Sequence, residues 1–150
     1  MEDSIAACGK LADCCLELGK QDEQLRYVFK SFEYDTPRAE FCCRLGYHFM
    51  QQNRIKEAIF WYKLATQLEQ PKDSWGNISH ACWTWLPHIQ LCVCYDKVGQ
   101  HELAYRHNEM AAAFIPDDPK IIHNRKYFNR IFKSLDKQAA IQEDVTQIRT

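Results

Sequence analysis

Between residues 39 and 71 the chain reads AEFCCRLGYHFMQQNRIKEAIFWYKLATQLEQP. Apolar side chains return every three or four positions in two runs, with the polar stretch from Gln51 to Arg54 between them. That period puts the apolar positions of each run on one helix face, and a short polar turn between two such runs predicts an antiparallel helix pair. Small and aromatic residues alternate along the buried stripe: Leu45, Gly46, Phe49, Ala58, Tyr62 and Ala65.

The same ladder recurs. Thirty-four residues earlier stand Leu11, Ala12, Cys15, Gln24, Val28 and Ser31; forty-six residues later stand Leu91, Cys92, Tyr95, Ala104, Asn108 and Ala111. A turn residue falls at the matching place each time, as Gly19, Asn53 and Gly99. A 34-residue period with this ladder is the tetratricopeptide repeat (TPR) signature. The predicted fold is therefore all-α, with TPR-like antiparallel helix pairs forming a short right-handed superhelix. Small residues let two helices approach, and Gly46 is expected to meet Ala58 at the crossing of the second pair.

The periodicity predicts helices over about 5–18, 21–34, 38–51, 54–68, 101–114 and 119–133. Repeats are expected at about 5–37, 39–71 and 85–117, followed by a capping helix over 119–133. The repeat domain then spans 1–134. Residues 135–150 form a polar C-terminal tail that reads either as helix or as a frayed end. Thr36 and Pro37 suit an N-cap and first helical position, as do Asp118 and Pro119. The run Ile59, Phe60, Trp61, Tyr62, Leu64 and Leu68 is apolar around most of a helix, which predicts burial between neighbours. Residues 72–84, KDSWGNISHACWT, break the period by 12 residues. A long loop folded on the groove is one reading. The favoured one is a helical segment from about 79, bent near Pro87 and continuing to 98.

Composition narrows the function. A net charge of -1 supplies no basic field for nucleic acid. No signal peptide, like-charge run or membrane-length apolar run is visible. Seven of the eight cysteines lie in the first helices of the units, many at small core positions, so they read as buried free thiols in a reducing, cytoplasmic setting. His88 and Cys92 have chelating i, i+4 spacing, but no Cys-x-x-Cys accompanies them, and no histidine is fixed against a thiol. The expectation is no catalytic, cofactor-binding or metal residue, and core cysteines with surface histidines.

Peptide or protein binding is the remaining candidate. First helices line the concave face of TPR arrays, which places Asp13, Leu16, Glu40, Cys43, Tyr47, Met50, Ile89, Val93, Asp96 and Lys97 there. Positions that hold a carboxylate clamp in some TPRs carry Gly9, Asp13, Cys43 and Tyr47 here, so the expected occupant is apolar side chains of a polypeptide. Trp75, Trp83 and Trp85 either fill the gap left by the broken period or line a contact surface.

The segments YDTPRAEFCCRLGYHF, EAIFWYKLA and PKDSWGNISHACWTWLPHIQLCVCYDKVG resemble the TPR-like C-terminal region of bacterial, Bacillus-type family 2 glycosyltransferases. The resemblance covers about residues 5–130. It implies a non-catalytic module of such an enzyme, docking a polypeptide acceptor, the catalytic domain or a second subunit as a homodimer. The family's Asp-x-Asp metal motif has no counterpart among these residues. A free-standing TPR adaptor with a protein ligand is the alternative.

Overall fold

The computed structural model describes residues 1–72 and 78–148. Every regular element among the described residues is a helix. In order they are α1 (Glu2–Glu17), α2 (Gln21–Ser31), α3 (Ala39–Gln51), α4 (Ile55–Gln67), α5 (His80–Trp83), α6 (Leu86–Lys97), α7 (His101–Ala112) and α8 (Pro119–Ile148). α1 packs on α2, α3 on α4 and α6 on α7, and α4 also packs on α6. The fold is thus TPR-like: three helix pairs, with α8 against α7.

The three pairs turn by one device. Gly19, Asn53 and Gly99 have φ of 70°, 57° and 77°. In each case the amide after the turn residue reaches back five positions: Lys20 N to Cys15 O at 2.8 Å, Arg54 N to Phe49 O and Gln100 N to Tyr95 O at 2.9 Å. These bonds satisfy carbonyls that the ending helix leaves free, and the positive φ they require favours Gly or Asn.

Three apolar clusters run through the stack. One joins α1 and α2 to α3 through Ile5, Cys8, Ala12, Val28, Phe41 and Leu45. The largest joins α3, α4, α6, α7 and α8 around Tyr62, Leu91, Tyr95 and Phe128. The third lies under α8, where Ile89 meets Ala111, Ala112 and Ile121. Leu45 and Leu91 are fully buried, but Leu11, at the same ladder position, is 44% exposed. The reason is order in the stack. Leu45 and Leu91 bury against the preceding pair, whereas no pair among the described residues packs over Leu11.

Three expectations need correction. The segment from residue 79 is not one helix bent at Pro87. It is two helices, broken at Thr84 (φ −128°, ψ −96°), and Pro87 sits in the first turn of α6, where its missing N–H costs nothing. Thr36 does not cap α3. Arg38 takes the N-cap position with extended backbone, and its guanidinium bridges Glu2 and Asp35, which fixes the α2–α3 connection to the start of α1. α4 is not buried all round: Ala58, Tyr62 and Ala65 are, while Phe60 is 60% exposed. Gly46 meets Tyr62; all three atoms nearest to a β-carbon built there belong to that ring.

α8 starts as its sequence predicts, with Asp118 Oδ1 accepting from the Lys120 amide at 2.8 Å. It then runs 30 residues, past 133. Its junction with α7 is polar. Asn108, fully buried at a ladder position filled by Val28 and Tyr62 in the other pairs, donates to Ile121 O and accepts from Asn124 Nδ2 at 2.9 Å. Arg125 grips the Glu109 carboxylate with two bonds, at 2.9 and 2.8 Å.

Candidate functional site

A cavity of about 350 Å³ opens where the three pairs meet. α1 contributes Asp13 and Leu16, α2 contributes Gln24, and α3 contributes Glu40, Cys43, Arg44 and Tyr47. Tyr62 of α4, Ser79 and Cys82 around α5, and Leu86 and Gln90 of α6 complete the wall. The α3 residues share a face because 40, 43, 44 and 47 follow the helical i, i+3, i+4, i+7 pattern. Leu86 and Gln90 sit one turn apart on α6 for the same reason.

Charged groups at the wall are paired. Arg44 holds Asp13 with two bonds of 2.8 Å, tying α3 to α1. Trp83 Nε1 donates to Glu40 Oε1 at 2.7 Å, tying α5 to α3 across 43 residues of sequence. The floor is apolar and thiol-lined: Tyr62 is buried, and burial drives its phenol well above the usual range. Tyr47 is 41% exposed and Leu16 is 37% exposed, so both offer apolar surface to an occupant. Gln24 is 1% exposed, and its Nε2 has no hydrogen-bond partner among the described residues.

Of the ten groove positions expected, Asp13, Leu16, Glu40, Cys43 and Tyr47 come together in this cavity. The others lie elsewhere. Met50 packs against the main cluster. Ile89 is buried beneath α7 and α8. Val93 is half-buried and Lys97 exposed. Asp96 accepts from Tyr127 Oη at 3.1 Å and pairs with His101 Nδ1 at 2.8 Å. Trp83 and Trp85 are half-buried, packed against the main cluster and the Ile89 cluster respectively. Trp75 lies outside the described residues.

Leu86 and Gln90 escaped the sequence reading, although the ladder offset of 46 residues maps them onto Glu40 and Arg44. The same offset carries Cys43, Tyr47 and Met50 onto Ile89, Val93 and Asp96, which the tertiary packing turns away from the cavity. Ser79 and Cys82 had no such signal, because the insertion has no equivalent in the other pairs.

The cysteines follow expectation but for Cys14, whereas some histidines depart from it. His48 is buried and bonds to Gln52 Nε2 at 3.1 Å. His88 Nδ1 stands 3.0 Å from His107 Nδ1. Seven cysteines are buried; Cys14 is exposed. His88 and Cys92 gather no third ligand, and no group of three or more metal-ligating side chains is present among the described residues. No helix among them is long and apolar enough to cross a membrane.

Helix pairs stacked through a small-residue ladder, with a cavity shared between consecutive pairs, define a helical-repeat protein. The family model for the tetratricopeptide repeat matches residues 39–71, which cover α3 and α4. The chain thus contains a TPR, the kind of repeat whose stacked concave surfaces serve in binding other proteins. No curated protein and no solved structure matches the chain significantly.

Proposed function

We propose that this chain is a protein-interaction module whose cavity between α1, α3, α5 and α6 takes apolar side chains of a polypeptide segment. The observation that supports this most directly is the cavity's composition from all three pairs, with Leu16, Tyr47 and Leu86 on its wall. Side chains drawn from different repeats give an extended segment successive footholds, and aromatic anchors in such places concentrate binding energy. The wall charges are already paired within the chain, which favours apolar over ionic contacts.

The test is selection of a displayed random-peptide library on the immobilised chain. Enriched peptides should lose binding to a Leu16→Asp, Tyr47→Ala variant and keep it to Phe60→Ala, whose side chain is exposed away from the cavity wall. Equal binding to the first variant, with its circular dichroism unchanged, rejects this site.

The finer reading places the module in the cytoplasm, attached to a family 2 glycosyltransferase, where it docks the catalytic domain, a polypeptide acceptor or a second copy. It rests on the sequence resemblance centred on ACWTWLPHIQLCVCYD. An adjoining coding sequence with an Asp-x-Asp catalytic domain supports it; an independent gene with no such neighbour supports the adaptor.

A further inference from the structure

Two of the cavity's wall residues carry thiols. Cys43 lies on α3 and Cys82 on α5, 39 positions apart in sequence. The packing of α5 on α3 brings both to the same cavity and the same apolar cluster. Their side chains interact directly with each other. Each retains only a small exposed area, 6% and 8%, and that area faces a space large enough for small polar molecules.

The remaining core cysteines are placed differently. Cys42, Cys92 and Cys94 do not line the cavity. Burial pushes the first two up to about 12 and the third to about 11, which keeps them as inert thiols. Cys82 moves the other way. The Cys43 thiol beside it is the main cause, against the opposing effect of burial; Ser79, with its Oγ 3.6 Å from Cys82 Sγ, and the Arg44 charge add to it.

We propose that Cys43 and Cys82 form a dithiol site that hydrogen peroxide oxidises to a disulfide joining α3 to α5 and that small dithiols reduce again by thiol–disulfide exchange. The oxidation takes two steps. The Cys82 thiolate attacks a peroxide oxygen; the S–O bond forms, the O–O bond breaks, and the departing hydroxide takes a proton to become water. Cys43 sulfur then attacks Cys82 Sγ; the S–S bond forms, the S–O bond breaks, and the oxygen leaves as a second water with the Cys43 proton. Two sulfurs are oxidised together by two electrons, and one peroxide is reduced. This site does not depend on the cavity's being a peptide groove.

The test uses the full chain carrying Cys14→Ser, so that the exposed thiol cannot cross-link molecules. Hydrogen peroxide should remove two free thiols, and peptide mapping should find residues 43 and 82 in one linked pair that dithiothreitol separates. Cys82→Ser should show no such loss. Cys43→Ser should leave Cys82 as a sulfenic acid that dimedone traps. If the folded protein, checked by circular dichroism, gives no 43–82 link while Cys82 is oxidised beyond sulfenic acid, or if Cys82 reacts no faster than Cys42, the proposal fails. The mapping of the parent chain keeps the test decisive even where a serine variant folds poorly.

Discussion

The ring of Tyr62 packs directly on the backbone of Gly46, so closely that a β-carbon added there would stand 2.6 Å from Cζ, 2.7 Å from Cε2 and 2.8 Å from Cδ2. The crossing of α3 and α4 thus rests on more than small residues facing each other. It is a large ring seated on a residue with no side chain, with Ala58 buried nearby in the same cluster.

Gly46→Ala tests that relationship. Helix propensity alone favours alanine by about 1 kcal/mol. The clash with a buried ring opposes it, and overpacking of this kind costs about 1–3 kcal/mol. The clash should win, lowering the urea midpoint. Tyr62→Leu in the same chain should make the second change less damaging than it is alone, since the two residues touch. Additive losses would show that the ring is not the cause.

Gln24 occupies a ladder position that holds alanine in the other two pairs. Its buried Nε2 has no partner among the described residues, a cost of about 1–3 kcal/mol to the folded state. Gln24→Met keeps the volume and removes the donor. Thermal melts should show equal or higher stability, whereas a loss comparable to a core truncation would mean that the amide is satisfied.

Asn108 links α7 to α8 by way of Ile121 and Asn124. Asn108→Ala should cost about 1–3 kcal/mol, since it leaves buried groups of α8 unpaired. Hydrogen exchange should accelerate in α8 around Ile121 more than in α3 and α4. Uniform acceleration would mean that α8 unfolds only with the whole chain.

The His88–His107 pair should set an acid limit to stability. The His107 ring stacks on Tyr95, centroids 5.4 Å apart, and on His88 at 5.3 Å. Burial, then the charges of His88 and Lys63, hold His107 down to about 4; burial also lowers His88. In the unfolded chain both return to about 6.5. Between these values the unfolded state binds more protons, so the contribution is full above the unfolded value and is lost as pH falls through the folded one. For His107 the loss from pH 6.5 towards 4 is on the order of 2 kcal/mol, after allowance for partial exposure. Urea titrations of the parent and of His88→Gln, His107→Phe should diverge in that window, and parallel curves would exclude the pair.

Much of the fold was legible because helices encode burial with a fixed period. The ladder positions from Ala12 to Ala111, the turns at Gly19, Asn53 and Gly99, and the start of α8 at Asp118 and Pro119 are all local. That five of the ten positions expected in the groove, on α1 and α3, share one cavity was legible too, since the repeat is regular there. On α6 the register held, but packing against α7 and α8 buries Ile89, and Leu86 and Gln90 reach the cavity instead. A proline four residues before the buried Leu91 suits either a kink or a first turn, and local sequence cannot choose between them.

By itself, then, the sequence determined most of the side chains that turn inward and the three turns between paired helices, since both follow from a period of 3.6 and from the φ that a residue tolerates. The tertiary structure alone decided which inward side chains meet. Tyr62 on Gly46, His88 on His107, and Cys43 beside Cys82 join residues from 16 to 39 positions apart. Such meetings depend on how far each helix slides and turns against its neighbour. That is set by close packing of the whole stack, to which every side chain contributes and which no short window of sequence contains.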